Sequence, residues 1–234
     1  MLGKIDIFAD CSTLEQIENM ASRDEVKGFT TNPTLIRKGG TTNYINFAKE
    51  SSKLAKEKSI SLEILSDDEN QIIDESLKLS AMSDNIFVKI PIYNSLRQNL
   101  TDTILRLLDK KVKVNVTAVF LPEQVERLLN NFQNNSSMII SVFCGRISDT
   151  GRSPFPILQE IKKNMKNSKY VSLLWASTRE IYNIVEAVDA KCDKITLNPE
   201  LIDKLNLIGK DLIEFSHETS QMFKSDAEAA GFYI

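Results

Sequence analysis

The sequence predicts a single α/β domain in which eight parallel strands close into a barrel, followed by an extra C-terminal helix. Eight short strand-like runs alternate with longer polar stretches of helical periodicity, which favours right-handed βαβ units. Eight such units within 234 residues favour a closed (β/α)8 barrel, a TIM barrel, over an open sheet. The predicted strands are 4–10, 28–31, 60–65, 86–90, 112–119, 138–143, 170–175 and 193–197.

Helix-capping residues lie between these runs. Ser12 and Thr13 can cap a helix that continues to Met20, and the polar run 66–69 can open another that ends near Ala81. The sixth predicted strand, within 137–143, is nearly continuous in apolar residues, as is typical of a strand covered on both faces. No linker, tandem repeat or low-complexity tract divides residues 1–234, so one domain is expected.

A further helix is predicted over 209–230, after the last barrel strand. It has apolar residues along its length, namely Leu212, Ile213, Phe215, Met222 and Phe223. An apolar stripe on a helix must cover something. We expect this helix to pack either on its own barrel or on a neighbouring subunit of a homo-oligomer.

Composition and charge exclude several classes of partner. The 29 lysines and arginines against 32 acidic residues leave a net charge of −3, which does not favour binding to nucleic acid or anionic membranes. No apolar run approaches the roughly 20 residues that span a bilayer, and the N-terminus enters a strand pattern directly, so we expect a cytoplasmic protein. Three widely spaced cysteines and one histidine, His217, do not favour a disulfide framework or a zinc site.

Lys89 is the most informative residue, because it lies in the apolar run 86–91. Taking an unpaired ammonium out of water costs several kcal/mol, so a buried lysine tends towards the neutral amine. A neutral amine can form a Schiff base with a carbonyl substrate. The alternative is a strand-end lysine whose ammonium reaches water.

Polar residues close the other predicted strands, at the barrel end where ligands bind in this fold. Each taken singly has an ordinary alternative: Asp10 can cap a helix, Glu63 can be a rim carboxylate and each arginine can be a solvated charge. Every strand but the last contributes a candidate. The set is Asp10, Thr30, Thr31, Asn32, Glu63, Lys89, Asn115, Thr117 and Ser141, with Arg146, Ser177 and Arg179 in the loops that follow strands six and seven.

These residues resemble the transaldolase family of class I aldolase-type barrels over nearly the whole chain. The order and separation of Thr30-Thr31-Asn32-Pro33 and Val88-Lys89-Ile90-Pro91 are the most specific features. The chain length resembles the short branch that includes fructose 6-phosphate aldolase. The other matching stretches are 8–10, 28–36, 115–117, 143–149, 176–179 and 192–197.

The resemblance implies a role for each candidate and needs no metal or organic cofactor. Lys89 would form the Schiff base, Asp10 would handle the proton of the cleaved carbon's hydroxyl, and Glu63 with Thr117 would position a catalytic water. The resemblance also implies sugar-phosphate substrates. The implied substrate-binding residues are Thr30, Thr31, Asn32, Asn115, Ser141 and Phe143, and the implied phosphate-binding residues are Arg146, Ser177 and Arg179.

Two positions favour a transaldolase over an aldolase within the family. Fructose 6-phosphate aldolases have a proton-donating tyrosine where this chain has Phe143, and tend to have glutamine where it has Glu63. The expected reaction transfers a dihydroxyacetone unit from sedoheptulose 7-phosphate or fructose 6-phosphate to an aldose phosphate. The alternatives are an aldolase that releases free dihydroxyacetone, a barrel that binds sugar phosphates without turnover, and a structural barrel that assembles through its last helix.

Overall fold

The computed structural model describes residues 2–133, 135–166 and 168–233, and within them eight parallel strands close into a barrel. Neighbours in the barrel follow chain order, and β1 pairs with β8 to complete the ring. The predicted (β/α)8 barrel is confirmed. The strands are β1 Asp6–Asp10, β2 Val26–Thr30, β3 Ser59–Glu63, β4 Ile86–Pro91, β5 Val114–Val119, β6 Met138–Val142, β7 Val171–Trp175 and β8 Lys194–Leu197.

Helices connect these strands. They are α1 Leu14–Ala21, α2 Pro33–Lys38, α3 Tyr44–Leu54, α4 Glu69–Ser80, α5 Thr101–Asp109, α6 Glu123–Asn131, α7 Cys144–Ser148, α8 Phe155–Asn164, α9 Tyr182–Asp189, α10 Pro199–Asp203 and α11 Leu212–Ala229, with 3-10 turns at Leu2–Lys4 and Lys204–Leu207. Thr13 caps α1 and Asp68 caps α4, each accepting a backbone N–H through its side chain. Both caps lie in the predicted capping segments.

The predicted strand bounds differ from the observed ones by up to two residues. The first strand begins at Asp6 rather than at residue 4, because the preceding residues form a 3-10 turn, and β2 begins at Val26 rather than at residue 28. Two helices, α2 and α3, lie between β2 and β3, where the sequence pattern predicted one longer helical stretch. Helix α2 begins where the Asn32 side chain accepts the N–H of Leu35, at 2.9 Å.

The chain divides into two compact units, residues 1–202 and 203–234. The second unit contains α11, so the extra C-terminal helix is confirmed within its predicted range. Its apolar side chains Leu212, Ile213, Met222 and Phe223 are exposed. That these side chains pack on the barrel or on a neighbouring subunit stays a prediction. Light scattering tests the second possibility by measuring whether the protein is a homo-oligomer. None of the described helices is long and apolar enough to cross a membrane.

Phe8 fills part of the barrel interior. Its ring packs with Ile139 and Leu174, and the Lys194 ammonium lies 5.3 Å from the ring centroid. Gly28, on the neighbouring strand, leaves the space that the ring occupies: a Cβ at this position would lie 2.5 Å from the Phe8 Cζ. The ring is fully buried, so it cannot move aside without disturbing the core.

We expect Gly28→Ala to lower the free energy of unfolding by about 1–3 kcal/mol, because the added methyl group overpacks the core. Urea denaturation measures this change. Gly3→Ala is the matched control, since a Cβ at Gly3 meets nothing within 4 Å. Equal stability of the two variants would contradict the packing argument.

Candidate active site

Strand register brings three of the predicted site residues side by side. Glu63 on β3 pairs with Lys89 on β4, and Lys89 pairs with Asn115 on β5. Paired residues of adjacent parallel strands point to the same face, which here is the barrel interior. The Lys89 Nζ lies 2.7 Å from the Glu63 Oε1 and donates to the Thr31 carbonyl at 2.5 Å. Lys89 is therefore buried, 7% exposed, with an acidic partner.

Burial has the largest effect on the pKa values of the two carboxyl groups that interact with this lysine, those of Glu63 and Asp10. Burial raises the pKa of Glu63, opposed by the Lys89 charge and by hydrogen bonds from Lys89 and Thr31. Burial likewise raises the pKa of Asp10, opposed by the Lys89 charge and by the Thr30 hydroxyl. Desolvation is the larger effect for both, so each carboxyl group holds a proton more readily than in water.

A cavity of about 400 Å³ opens at this end of the barrel. Its walls join the lysine on β4 to the arginines that follow β6 and β7. The predicted residues that line it are Asp10, Thr30, Asn32, Lys89, Ser141, Phe143, Arg146, Ser177 and Arg179.

Four predicted residues do not line the cavity and lie behind its wall, namely Thr31, Glu63, Asn115 and Thr117. The Glu63 carboxylate is bonded to Lys89 and to the Thr31 hydroxyl, which lies 3.0 Å from its Oε2. Asn115 is fully buried, and its amide nitrogen donates to the Ser61 hydroxyl. The Asn115 carbonyl oxygen accepts from Ser141, at 2.7 Å. Asn115 therefore contacts the cavity through Ser141 rather than directly.

Thr117 is the fourth of these residues, and its hydroxyl has no hydrogen-bond partner among the described residues. The hydroxyl oxygen is buried, so an unmet hydrogen bond there costs about 1–3 kcal/mol. A β-bulge follows directly: Ala118 has a φ of +55° and the pairing register with β6 shifts between Val116 and Val119. Bulges beside active sites redirect a side chain. A buried, unpartnered hydroxyl at this position is suited to hold a water molecule.

The arginines are held by different contacts. The Arg146 guanidinium lies 5.6 Å from the centroid of the Phe143 ring, which also packs on Phe120. Arg179 makes a two-pronged ion pair with Asp149, whose oxygens lie 2.6 Å and 3.3 Å from its Nη2 and Nε. Its Nη1 donates to the Ser177 hydroxyl and carbonyl. Both guanidiniums are thereby held at the cavity wall.

Close packing of two backbones positions the arginine-bearing segments, of which the one with Arg146 is helix α7 rather than the predicted loop. A Cβ on Gly145 would lie 1.7 Å from the Ser177 carbonyl oxygen, so only glycine fits there. Ser177 itself has a φ of +64°, a conformation that costs a serine energy and that clusters at functional sites. Asn183 stabilises the same loop by accepting the N–H groups of Arg179 and Glu180.

The structure also adds residues that the sequence prediction missed. The last strand does contribute: Thr196 is buried and Asn198 is exposed, and both line the cavity. Lys194, Thr196 and Asn198 alternate with Ile195 and Leu197, a period of two that could have identified them. Ser61, Asp149 and Asn183 were missed as well, and each directly contacts a predicted residue.

No cysteine is among the described residues that line this cavity. Cys11 follows Asp10, and burial together with the Asp10 charge raises the pKa of its thiol to about 12. Cys11, Cys144 and Cys192 are all buried and free. The described part of the chain contains no cluster of three or more histidine, cysteine or acidic residues that could hold a metal ion.

Comparisons with known proteins identify the family of this chain. Residues 7–232 match the transaldolase/fructose-6-phosphate aldolase family. A probable transaldolase from Nitrosopumilus maritimus is 32% identical over 201 residues, which are 85% of this chain and 86% of that protein. A probable transaldolase from a Ruegeria species is 30% identical over 229 residues, which are 97% and 98% of the two chains.

Solved structures support the fold alone. A monomeric dihydrodipicolinate synthase variant aligns with a TM-score of 0.59 at 12% identity, covering 82% of this chain and 68% of that one. The putative copper homeostasis protein CutC from Streptococcus agalactiae has the same TM-score and identity, covering 82% and 97%.

Fold and cavity define an aldolase-type barrel with a buried lysine. The chain belongs to the transaldolase/fructose-6-phosphate aldolase family.

Proposed function

We propose that this protein is a transaldolase that moves a dihydroxyacetone unit from a ketose phosphate to an aldose phosphate through a Schiff base on Lys89. The observation that carries the proposal is the buried Lys89 amine, 2.7 Å from Glu63, in the wall of a cavity that also contains two arginines. Family membership supports it. Sedoheptulose 7-phosphate and fructose 6-phosphate are the proposed donors.

The Lys89 and Glu63 pair supplies the nucleophile. The two groups lie within hydrogen-bonding distance, and burial raises the pKa of Glu63, so the carboxylate can accept a proton from the ammonium. The neutral amine then attacks the substrate ketone. Loss of water gives an iminium, and the roles proposed for the Thr117 hydroxyl and Glu63 are to position a water molecule for its later hydrolysis.

Asp10 is the proposed acid and base for the carbon skeleton. Its carboxylate takes the proton of the hydroxyl on the carbon that becomes the aldehyde when the bond breaks. The electron pair of that bond moves into the iminium, and the aldehyde half leaves. The remaining enamine adds to an acceptor aldehyde as Asp10 returns the proton, and water then releases the new ketose from Lys89.

The cavity wall is suited to a phosphorylated, polyhydroxylated substrate. Arg146 and Arg179 supply guanidiniums that can bind a phosphate dianion, with the Ser177 hydroxyl between their loops. The amide nitrogen of Asn32 and the hydroxyl of Ser141 face substrate hydroxyls. Phe143 lies where an aldolase would place a proton-donating tyrosine, and the apolar ring protects the Lys89 adduct from premature protonation.

Borohydride trapping tests the covalent step. Incubation with fructose 6-phosphate followed by reduction should add the mass of the bound ketose fragment to one peptide, the one containing Lys89. Lys194, which lies below the Phe8 ring on the same inner face, is the internal control and should stay unmodified. Absence of an adduct would refute the proposed mechanism and favour a barrel that binds without turnover. An adduct on another lysine would refute the role proposed for Lys89.

A two-substrate assay separates transfer from cleavage. Fructose 6-phosphate alone should give less than one equivalent of glyceraldehyde 3-phosphate per site, because the dihydroxyacetone unit stays on Lys89. Adding erythrose 4-phosphate should start steady turnover to sedoheptulose 7-phosphate. Steady release of free dihydroxyacetone without an acceptor would instead identify an aldolase.

A further inference from the structure

A chain of three side chains joins the last strand of the barrel to Asp10. The Thr196 Oγ1 on β8 lies 2.6 Å from the Thr30 Oγ1 on β2, and the same Thr30 oxygen lies 2.8 Å from the Asp10 Oδ1 on β1. These strands are neighbours where the barrel closes, in the order β8, β1, β2. Thr196 is 5% exposed and lines the cavity.

Proton counting gives this chain a direction. A threonine hydroxyl has one proton to donate, and an ionised carboxylate can only accept. When Asp10 is ionised, the Thr30 proton must therefore point at Asp10. The Thr30 oxygen can then only accept from Thr196, so the donors run from Thr196 to Thr30 to Asp10.

We propose that Thr196 is a positioning residue for the proposed reaction, whose hydroxyl orients and polarises the Thr30 hydroxyl that holds the Asp10 carboxylate. The inference rests on the proposed function, in which Asp10 is the base of carbon–carbon cleavage. Thr196 acts through Thr30 and does not itself take the substrate proton. Hydrogen bonds in such a chain strengthen one another in a buried site.

The ionisation of Asp10 provides the readout. The groups that interact with it electrostatically are Lys89, which lowers its pKa, and Glu63 and Cys11, whose own pKa values its charge raises. The Thr30 hydroxyl also lowers the pKa of Asp10. Without Thr196 the Thr30 hydroxyl is no longer polarised and donates a weaker hydrogen bond to the carboxylate, so the pKa of Asp10 rises and a higher pH is needed to produce the base.

The test compares Thr196→Val, which has nearly the same shape but no hydroxyl, with Thr196→Ser, which keeps the hydroxyl. We expect Thr196→Val to lower kcat for donor cleavage about threefold to tenfold at pH 7, the effect of weakening one buried hydrogen bond. The loss should shrink as the pH rises, because the acidic limb of the kcat profile moves to higher pH. Thr196→Ser should have the wild-type profile.

Borohydride trapping with dihydroxyacetone separates this inference from the proposed function. Both variants should still form the Lys89 adduct, since Schiff-base formation does not need Asp10 to be ionised. A wild-type chain that forms no adduct would overturn the proposed function and this inference with it. Normal trapping together with a Thr196→Val profile that superposes on the wild type, or with equal loss in Thr196→Ser, would overturn this inference alone.

Discussion

Replacing Lys89 with methionine should lower transfer activity by more than about a thousandfold, because no other lysine is among the described residues that line the cavity. Borohydride trapping should find no ketose adduct in this variant. Binding of the substrate phosphate should survive, since Arg146 and Arg179 are untouched. A Lys89→Met variant that kept even a tenth of the wild-type rate would contradict the Schiff-base mechanism.

The same substitution should make stability depend on pH in a defined direction. Removing the ammonium leaves Glu63 buried without its charged partner, and breaking a buried pair costs about 3–5 kcal/mol if the remaining group stays ionised. The pKa of Glu63, already raised by burial, then rises further because the Lys89 charge no longer lowers it. A group whose pKa is raised in the folded state favours folding at low pH and loses that contribution as the pH rises.

Urea denaturation at pH 5 and pH 8 measures this effect. Lys89→Met should be close to the wild type in stability at pH 5 and clearly less stable at pH 8. The double variant Lys89→Met with Glu63→Gln is the matched control, because a neutral amide has no ionisation to lose. An equal loss of stability at the two pH values, or no recovery of stability at pH 8 in the double variant, would contradict this argument. Either result would show that the Lys89 charge does not control the ionisation of Glu63.

Gly145→Ala should lower kcat/KM for phosphorylated donors about a hundredfold. Its Cβ would lie 1.7 Å from the Ser177 carbonyl oxygen, so helix α7, which carries Arg146, must separate from the loop that carries Arg179. A displacement of about 1 Å in substrate-positioning groups can cost a hundredfold in rate. Steady-state kinetics with fructose 6-phosphate measures the loss.

The expected defect is specific to the phosphate end. Trapping of unphosphorylated dihydroxyacetone on Lys89 should stay close to normal in Gly145→Ala, because the β3 and β4 residues do not move with those two segments. Gly3→Ala, where a Cβ meets nothing within 4 Å, should behave as the wild type in both assays. Unchanged kinetics in Gly145→Ala would mean that the two segments can separate without moving the guanidiniums.

Much of the barrel and its cavity was predictable from local pattern. Apolar runs of about five residues indicated the strands, and polar residues in or directly after every run but the last indicated the cavity wall, as for Asp10, Ser141 and Lys89. This worked because in a parallel barrel the strand ends meet at one face. The loop arginines followed from the same rule, since they come directly after β6 and β7.

Partners that depend on the closed ring could not be predicted this way. The Thr30 and Thr196 hydroxyls are separated by 166 residues, and only the pairing of β1 with β8 brings them together. The ion pair between Arg179 and Asp149 depends likewise on how two loops pack. The unpaired lysine expected from the apolar run is instead half of an ion pair, since register alone places Glu63 beside it.

The hydroxyl chain from Thr196 to Asp10 has a consequence during biosynthesis. Lys194 and Asp6 pair across the same junction, 188 residues apart in sequence, so Asp10, the proposed base, depends on the last strand to be translated. A nascent chain that ends before β8 has neither a complete ring nor an oriented carboxylate. Activity should therefore begin only once residues beyond Leu197 have left the ribosomal tunnel, and truncated products should be inert towards sugars.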